Sequence, residues 1–262
     1  NIMNEAFLEA QRPWLNNFKL RASWGKNGNE NIGNFNYIAL AASGNNYIFG
    51  KDGQIVNGTK PTQLANPDLR WEESKQTDIG IDLGFLSNKF TFSLDYFIKD
   101  TEGMLMTMSL PQYVGEAIPM GNVGSMRNSG VEMDFNYRQN FGDFSLRFNA
   151  NVSYLRNKLL AYGNEQGWAN YDSFQGTGTI TRAENGLPFP FFYGYKTDGV
   201  LQNQAEANEY NTKYGTSLVP GDVRYTDVNG DGAITEDDRT KIGKGMPDWT
   251  YGFGITATWR GF

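Results

Sequence analysis

The sequence predicts an all-β chain of antiparallel transmembrane β-barrel type, and three observations carry that reading. Six segments alternate apolar and polar residues with period two, several of them longer than the roughly 5 or 6 residues of an ordinary soluble strand. The connections between these segments alternate short and long. Glycine, at 31 of 262 residues, and aromatics, at 15%, are abundant although hydrophobic residues make up only 39%, a balance typical of Gly-turned β architecture rather than of packed helices.

The first strand is expected over 18–24, with Phe18, Leu20, Ala22 and Trp24 on one face and Lys19, Arg21 and Ser23 on the other. The second, 77–85, sets Ile79, Ile81, Leu83 and Phe85 against Asp78, Gly80, Asp82 and Gly84. The third, 90–99, carries Phe90, Phe92, Leu94, Tyr96 and Ile98 on its apolar face. The fourth, 131–138, opposes Val131, Met133, Phe135 and Tyr137 to Glu132, Asp134, Asn136 and Arg138. The fifth runs from Phe144 to Tyr154 and the sixth from Trp249 to Arg260, again with one apolar face each. Trp249 and Trp259 share that face, and the strand between them spans roughly 25 Å of bilayer normal at a tilt near 40°.

Ser87-Asn88 and Gln139 to Asp143 read as tight turns, with Asn or Gly where a positive φ is wanted. The stretches 25–76, 100–130 and 155–248 read as long connections. In an up-and-down sheet every short turn then falls at one end and every long loop at the other, the asymmetry of short periplasmic turns and long extracellular loops. Further hairpin strands are expected within Met104 to Leu110 and Phe191 to Thr197, for a count of six to about eight. A soluble sandwich shows the same alternation and stays open as an alternative. In the barrel reading Arg21, Asp78, Asp82, Asp95, Lys99, Glu132, Asp134, Arg138 and Arg147 line a wet lumen.

Composition closes off several kinds of chemistry. With no Cys and no His, the chain has no Ser-His or Cys-His nucleophilic site, no thiolate or imidazole zinc site and no disulfide. Paired acids recur on every polar strand face without the fixed geometry that acid-base catalysis needs, so no enzyme is expected. A net charge of −6 with no basic run argues against nucleic acid. No apolar run reaches the roughly 18 residues of a membrane helix. The first residues show no signal peptide, so the numbering is expected to begin inside a longer chain.

One motif carries strong chemistry. Asp227-Val228-Asn229-Gly230-Asp231-Gly232-Ala233-Ile234-Thr235-Glu236-Asp237-Asp238 fits the calcium-loop template D-x-[DN]-x-[DN]-G-x5-E, with Asp in the final place. The expected Ca2+ ligands are Asp227, Asn229, Asp231, the Ala233 carbonyl, Thr235 directly or through water, and Asp238, converging on an ion at roughly 2.4 Å. Ile234 is expected to anchor the loop in neighbouring packing, and the role of the ion to be structural. The residues before the loop, Leu218-Val219-Pro220-Gly221, do not read as a helix, and Pro247 limits any helix leaving it. Two weaker features complete the survey: 25–29 reads as a Gly-rich turn rather than a phosphate loop, and Trp168, Tyr171 and Phe174 are candidates for stacking on sugar rings.

Several segments, taken together and in order, resemble the C-terminal barrel portion of SusC/RagA-family TonB-dependent outer-membrane transporters of Bacteroidota. They are Phe18-Lys19-Leu20-Arg21-Ala22-Ser23-Trp24-Gly25; Asn66-Pro67-Asp68-Leu69-Arg70-Trp71-Glu72 leading into Asp78-Ile79-Gly80; Asn122-Val123-Gly124 with Asn128-Ser129-Gly130-Val131-Glu132; Phe192-Tyr193-Gly194-Tyr195; and Pro220-Gly221-Asp222 through the carboxylate loop to Pro247-Asp248. The resemblance covers nearly all of residues 1–262, with 218–247 as a calcium-loop segment inside a long extracellular loop. It implies a bacterial outer-membrane location, a parent barrel of about 22 strands, and a plug domain and final strands outside this stretch. It also implies TonB-driven import of an oligosaccharide or peptide together with a SusD-like surface lipoprotein, within outer-membrane lipid. The competing expectation is a soluble secreted, calcium-stabilised β protein acting as a glycan-binding or adhesive module.

Overall fold

The computed structural model describes residues 2–32, 35–39, 41–51, 53–61, 64–108, 118–176 and 178–260. It comprises two units, Asn1–Gly167 with Pro247–Phe262, and Trp168–Met246. Along the first unit lie β1 (Leu15–Asn29), β2 (Ala41–Phe49), β3 (Gln54–Pro61), β4 (Glu72–Phe85), β5 (Phe90–Thr107), β6 (Met120–Phe141) and β7 (Phe144–Ala161). The second unit holds β8 (Trp168–Asn170), β9 (Thr181–Glu184), β10 (Phe191–Tyr195), β11 (Thr197–Val200), α1 (Gln204–Tyr214), β12 (Val223–Tyr225) and β13 (Arg239–Lys244), after which β14 (Trp249–Trp259) returns to the first.

β1, β4, β5, β6, β7 and β14 form one antiparallel sheet in that order, and all six expected strands are present in it. Through the middle of the sheet their register sorts apolar from polar residues. One row of partners crosses the whole sheet as Phe18, Leu83, Phe92, Phe135, Ala150 and Phe253; another, on the opposite face, runs Arg21, Gly80, Asp95, Glu132, Ser153 and Thr250. A one-residue slip of any strand would exchange these rows. The apolar face has no second layer: Tyr251, Phe253 and Ile255 are 79%, 73% and 65% exposed. That removes the sandwich alternative, whose inner face would be buried, and fits a wall whose apolar side meets hydrocarbon.

Aromatic rings gather near both ends of this face. Near the short turns Trp14 stacks on Phe85 at 6.0 Å, Phe85 meets Phe90 at 5.5 Å, and Phe90 meets Phe135 edge-on at 4.4 Å. At the other end Tyr154 lies 4.7 Å from Trp249. The short turns are tight as expected. β4 turns into β5 through Leu86, Ser87 and Asn88, all at positive φ, and β6 into β7 through Gly142 at φ 62° and Asp143.

The strands differ from expectation chiefly in length. β5, β6 and β7 run 18, 22 and 18 residues, more than the roughly 9 to 11 a bilayer crossing takes, and extend past the apolar band at the loop end. Residues 25–29 continue β1 instead of turning, paired through to Glu72. Gly28 serves packing there, because a Cβ would stand 3.2 Å from the Trp71 ring. Met104 to Thr107 likewise prolong β5 and make no new strand, while 109–110 lie outside the described residues. The first long connection carries its own hairpin, β2 with β3.

The second unit is a folded body. β13, β10, β9 and β8 make a four-stranded sheet, so the strand expected near Phe191 is present, and β11 pairs with β12. Arg182 lies over Trp168 at 3.9 Å and Tyr193 at 4.7 Å, and Arg239 over Tyr193 at 4.8 Å. These cation-π contacts hold the sheet's polar residues against its aromatic ones. The helix α1 makes the chain mostly β rather than wholly so. The Asn203 side chain caps it by accepting from the Glu206 N–H at 3.0 Å, and Gly215 at φ 66° ends it. Ala207 and Tyr210 of α1 close on Leu201, with Tyr214, Leu218 and Ile234 packed around them.

The exposed apolar face yields a direct test. Phe253→Arg, near the middle of β14, is expected to cost about 2–4 kcal/mol in urea unfolding from lipid vesicles. Ser153→Arg on the polar face should stay within about 0.5 kcal/mol; equal costs for the two would contradict the assignment of faces.

Candidate functional site

The charges of the sheet's polar face are positioned by the same register that sorts the apolar residues. Arg21 on β1 forms a fork on Asp82 of β4, with Nε and Nη2 each 2.9 Å from a carboxylate oxygen. Its Nη2 also reaches Asp95 of β5 at 2.8 Å. This second contact passes over β4 at Gly80, where a Cβ would sit 2.1 Å from the Asp95 carboxylate. Glycine is therefore required for one guanidinium to tie three strands. Ser93 adds a 3.0 Å hydrogen bond to Asp82. Beyond Asp95 the face continues through Glu132 and Asp134, and nearer the turns Arg138 stands directly opposite Arg147. Those two arginines and Lys89 border a groove of about 660 Å³ that also includes Asn136 and Asn149.

Gly130 shows the same use of a missing side chain. A Cβ there would meet the Tyr154 carbonyl at 2.4 Å and the Phe97 ring at 2.8 Å. Phe97, a large ring on the polar face of β5, lies across β6 at the only kind of residue that leaves it room.

The expected ion loop closes on itself through its acidic side chains. The Asp227 carboxylate accepts from the N–H groups of Gly230 at 2.6 Å and Gly232 at 2.9 Å. Asn229 Oδ1 accepts from the Asp231 N–H at 2.9 Å, and Asp231 from the Ala233 N–H at 2.9 Å. Gly232, at the sharp-turn position, has φ 86°. Asp238 is fully buried; it accepts from the N–H groups of Val228 and Thr235, each at 2.8 Å, and so joins the start of the loop to its end. Thr235 and Asp238 form a reciprocal capping box on a 3-10 turn over Glu236–Asp238, with no exiting α-helix. Ile234 is packed against the α1 core, as the sequence led one to expect.

The donors present suit a hard cation: three carboxylates, an amide, a hydroxyl and a backbone carbonyl, all oxygen. Among the described residues, no three acidic side chains converge closely enough to form a preassembled metal cluster. The backbone turns at Gly230 and Gly232, both at positive φ, while the carboxylates accept from N–H groups of the loop itself.

The three loop aromatics lie in the second unit, Trp168 on β8 and Tyr171 and Phe174 after it. Trp168 carries the Arg182 guanidinium over its ring. Tyr171 meets Phe189 at 5.9 Å. Phe174 is 60% exposed.

Residues 12–261 match the family described as TonB dependent receptor-like, beta-barrel. The chain is 33% identical over its whole length to TonB-dependent receptor P3 of Formosa agariphila, covering 26% of that protein. It is 25% identical to TonB-dependent receptor SusC of Bacteroides thetaiotaomicron, with 95% of this chain and 24% of that protein covered. Among solved structures, the RagAB peptide importer in its open-open state matches 99% of this chain and 26% of its own with a TM-score of 0.73 at 28% identity. The RagAB peptide transporter matches 100% of this chain and 27% of its own, with a TM-score of 0.71 at 26% identity. The chain thus spans about a quarter of the length of the curated relatives it matches. Six strands facing lipid on one side and water on the other, matched along almost their full length, identify a sector of outer-membrane barrel wall in a family of receptors and transporters rather than enzymes; the chain belongs to the TonB-dependent receptor β-barrel family.

Proposed function

We propose that the protein containing this sector imports a large nutrient, a peptide or an oligosaccharide, across the outer membrane by TonB-driven transport, with a SusD-like lipoprotein at the cell surface. The observation carrying this reading is the polar face that continues across all six strands of the sheet, hydrogen-bonded into one wall and similar along almost its whole length to the wall of a peptide importer. Such a face presents water, charge and amides to a passing molecule, whereas the opposite face presents rings and aliphatic groups over the apolar band. The RagAB importer's peptide cargo supports the peptide branch, and the exposed Phe174 ring favours the oligosaccharide branch.

Within the second unit we propose that Asp227, Asn229, Asp231, the Ala233 carbonyl, Thr235 and Asp238 hold a structural Ca2+. The backbone shape and the oxygen donor set support this reading. A bound cation would tie the Asp227 and Asp238 carboxylates, at the two ends of the loop, through one centre and stabilise the folded unit. Asp238 also works without the ion. The Thr235 N–H, then those of Val228 and Asn229, hold its carboxyl below the ordinary carboxylate range against the opposing effect of burial. Its folded value is thus below its unfolded one, so the stabilisation is complete above the unfolded pKa of about 3.9 and disappears as pH falls through the folded value.

Purification of the full-length protein from its native envelope in mild detergent should bring down a surface lipoprotein, and loss of the protein should abolish growth on the cargo as sole nutrient; undiminished growth and no lipoprotein would sink the import reading. Asp227→Ala combined with Asp231→Ala should remove calorimetric Ca2+ binding and loosen the loop while leaving the strand content intact; unchanged Ca2+ occupancy would eliminate the site. In calcium-free buffer, amide-exchange protection of Val228 and Thr235 should hold from pH 7 to about 4 and fall at lower pH. Asp238→Asn should flatten that profile, and an unaltered profile would show that Asp238 is not the titrating group.

A further inference from the structure

The outward face of the sheet changes chemistry where the strands leave the apolar band. Below that level the outward positions are Trp24 on β1, Ile79 on β4, Tyr96 on β5, Val131 on β6 and Tyr154 on β7. Continuing on the same parity toward the loop end, they become Lys26, Lys75 and Glu73, Asp100 and Glu102, Arg127, and finally Arg156 and Lys158. Much of this belt is paired within itself. Lys26 reaches Glu73 at 2.7 Å, Lys75 pairs with Glu102, and Arg127 forms a fork on Asp100 at 2.6 and 2.7 Å.

β7 breaks the pattern. Lys158 is the register partner of Arg127, so two cations stand directly opposite each other, and Arg156 lies one outward position nearer the bilayer. Like charges across a strand pair repel. Asp100 has both carboxylate oxygens on Arg127, and neither Arg156 nor Lys158 has an ion pair among the described residues. Both are exposed, immediately above the Tyr154 and Trp249 rings that mark the edge of the apolar face.

The geometry points to a lipid-headgroup site on the outer wall of the barrel, at which Arg156 and Lys158, with Arg127 beside them, hold the phosphate of an outer-leaflet lipid. Two features select this occupant. The cations continue the same surface that meets the acyl chains, so a lipid docked on Tyr154 and Trp249 has its headgroup at their level. Their unpaired charge also matches an anion carried by that lipid and not by the aqueous lumen, which lies on the other side of the sheet. The long-loop end of such barrels faces outward, which assigns the site to the outer leaflet. The inference rests on the barrel assignment and is independent of which cargo is imported.

Native mass spectrometry of the full-length protein in mixed micelles of phosphatidic acid and phosphatidylcholine tests it. Phosphatidic acid should be retained in preference to phosphatidylcholine, and Arg156→Gln and Lys158→Gln should each weaken its tightest binding step roughly fivefold, with a drop of about 30-fold for the pair. Lys51→Gln with Lys60→Gln, which removes the same charge from the β2–β3 hairpin, should leave the preference unchanged. No preference in the parent protein, a preference untouched by the double variant, or an equal loss in the hairpin control would each overturn the site. Displacement of the lipid by millimolar inorganic phosphate would also do so, because it would mark a soluble-anion site that does not need the acyl chains.

Discussion

A backbone amide in hydrocarbon has no water to bond, so strands that cross a membrane must complete their hydrogen bonds on neighbouring strands. In this chain that demand is met by one ladder extending across six strands, and the rest of the structure depends on its register. Because side chains alternate strictly, fixing the ladder fixes both faces together. The row from Phe18 to Phe253 and the row from Arg21 to Thr250 are consequences of the same pairing. The apolar face therefore needs no protein layer beneath it, and the first unit has almost no conventional core. Burial is supplied by lipid, while the protein supplies pairing.

The middle of each strand was legible in the sequence because there the two sides of the wall differ most. Phe90 to Tyr96 and Trp249 to Trp259 alternate cleanly, one side facing lipid and the other water. Above the apolar band that contrast fades, since both faces then meet polar surroundings. Lys26, Lys75 and Arg127 occupy outward positions that lower down belong to rings and aliphatic groups, so an apolar-polar count loses the strand before the ladder ends. Residues 25–29 read as a turn for that reason. The helix α1 left a fainter but usable trace in Asn203 three residues before Glu206, Ala207, Tyr210 and Tyr214 on one helical face, and Gly215 at the end. β8, β9 and β12, at three or four residues, are too short for any periodicity to declare itself.

The carboxylate loop was legible for a different reason. Its spacing is dictated by local geometry and not by tertiary packing, so the sequence template carries over directly. Asx side chains at alternate positions accept the N–H groups of residues just ahead of them, and that bends the backbone whatever lies nearby. Tertiary context enters at two residues. Ile234 is held by the α1 core, and buried Asp238 joins Val228 and Asn229 to Thr235. A helix that the alternation could not reveal therefore supports the motif that the sequence displayed most clearly.

On the inner wall the dominant problem is electrostatic. Asp82 and Asp95 face the lumen from adjacent strands, and Glu132 is the partner of Asp95 on the next, so without a cation this part of the wall would repel itself. Arg21 lies two strands from Asp95 and reaches it because β4 presents Gly80 between them. A lysine there could neutralise one carboxylate but could not fork on Asp82 while also donating to Asp95. The glycine and the guanidinium therefore act as one device. The absence of a Cβ on the central strand lets a planar donor bind both flanking acids, fixing β1, β4 and β5 on their polar side as the ladder fixes their backbones. The wall can then carry a dense acidic surface toward the lumen without loosening the strands that form it.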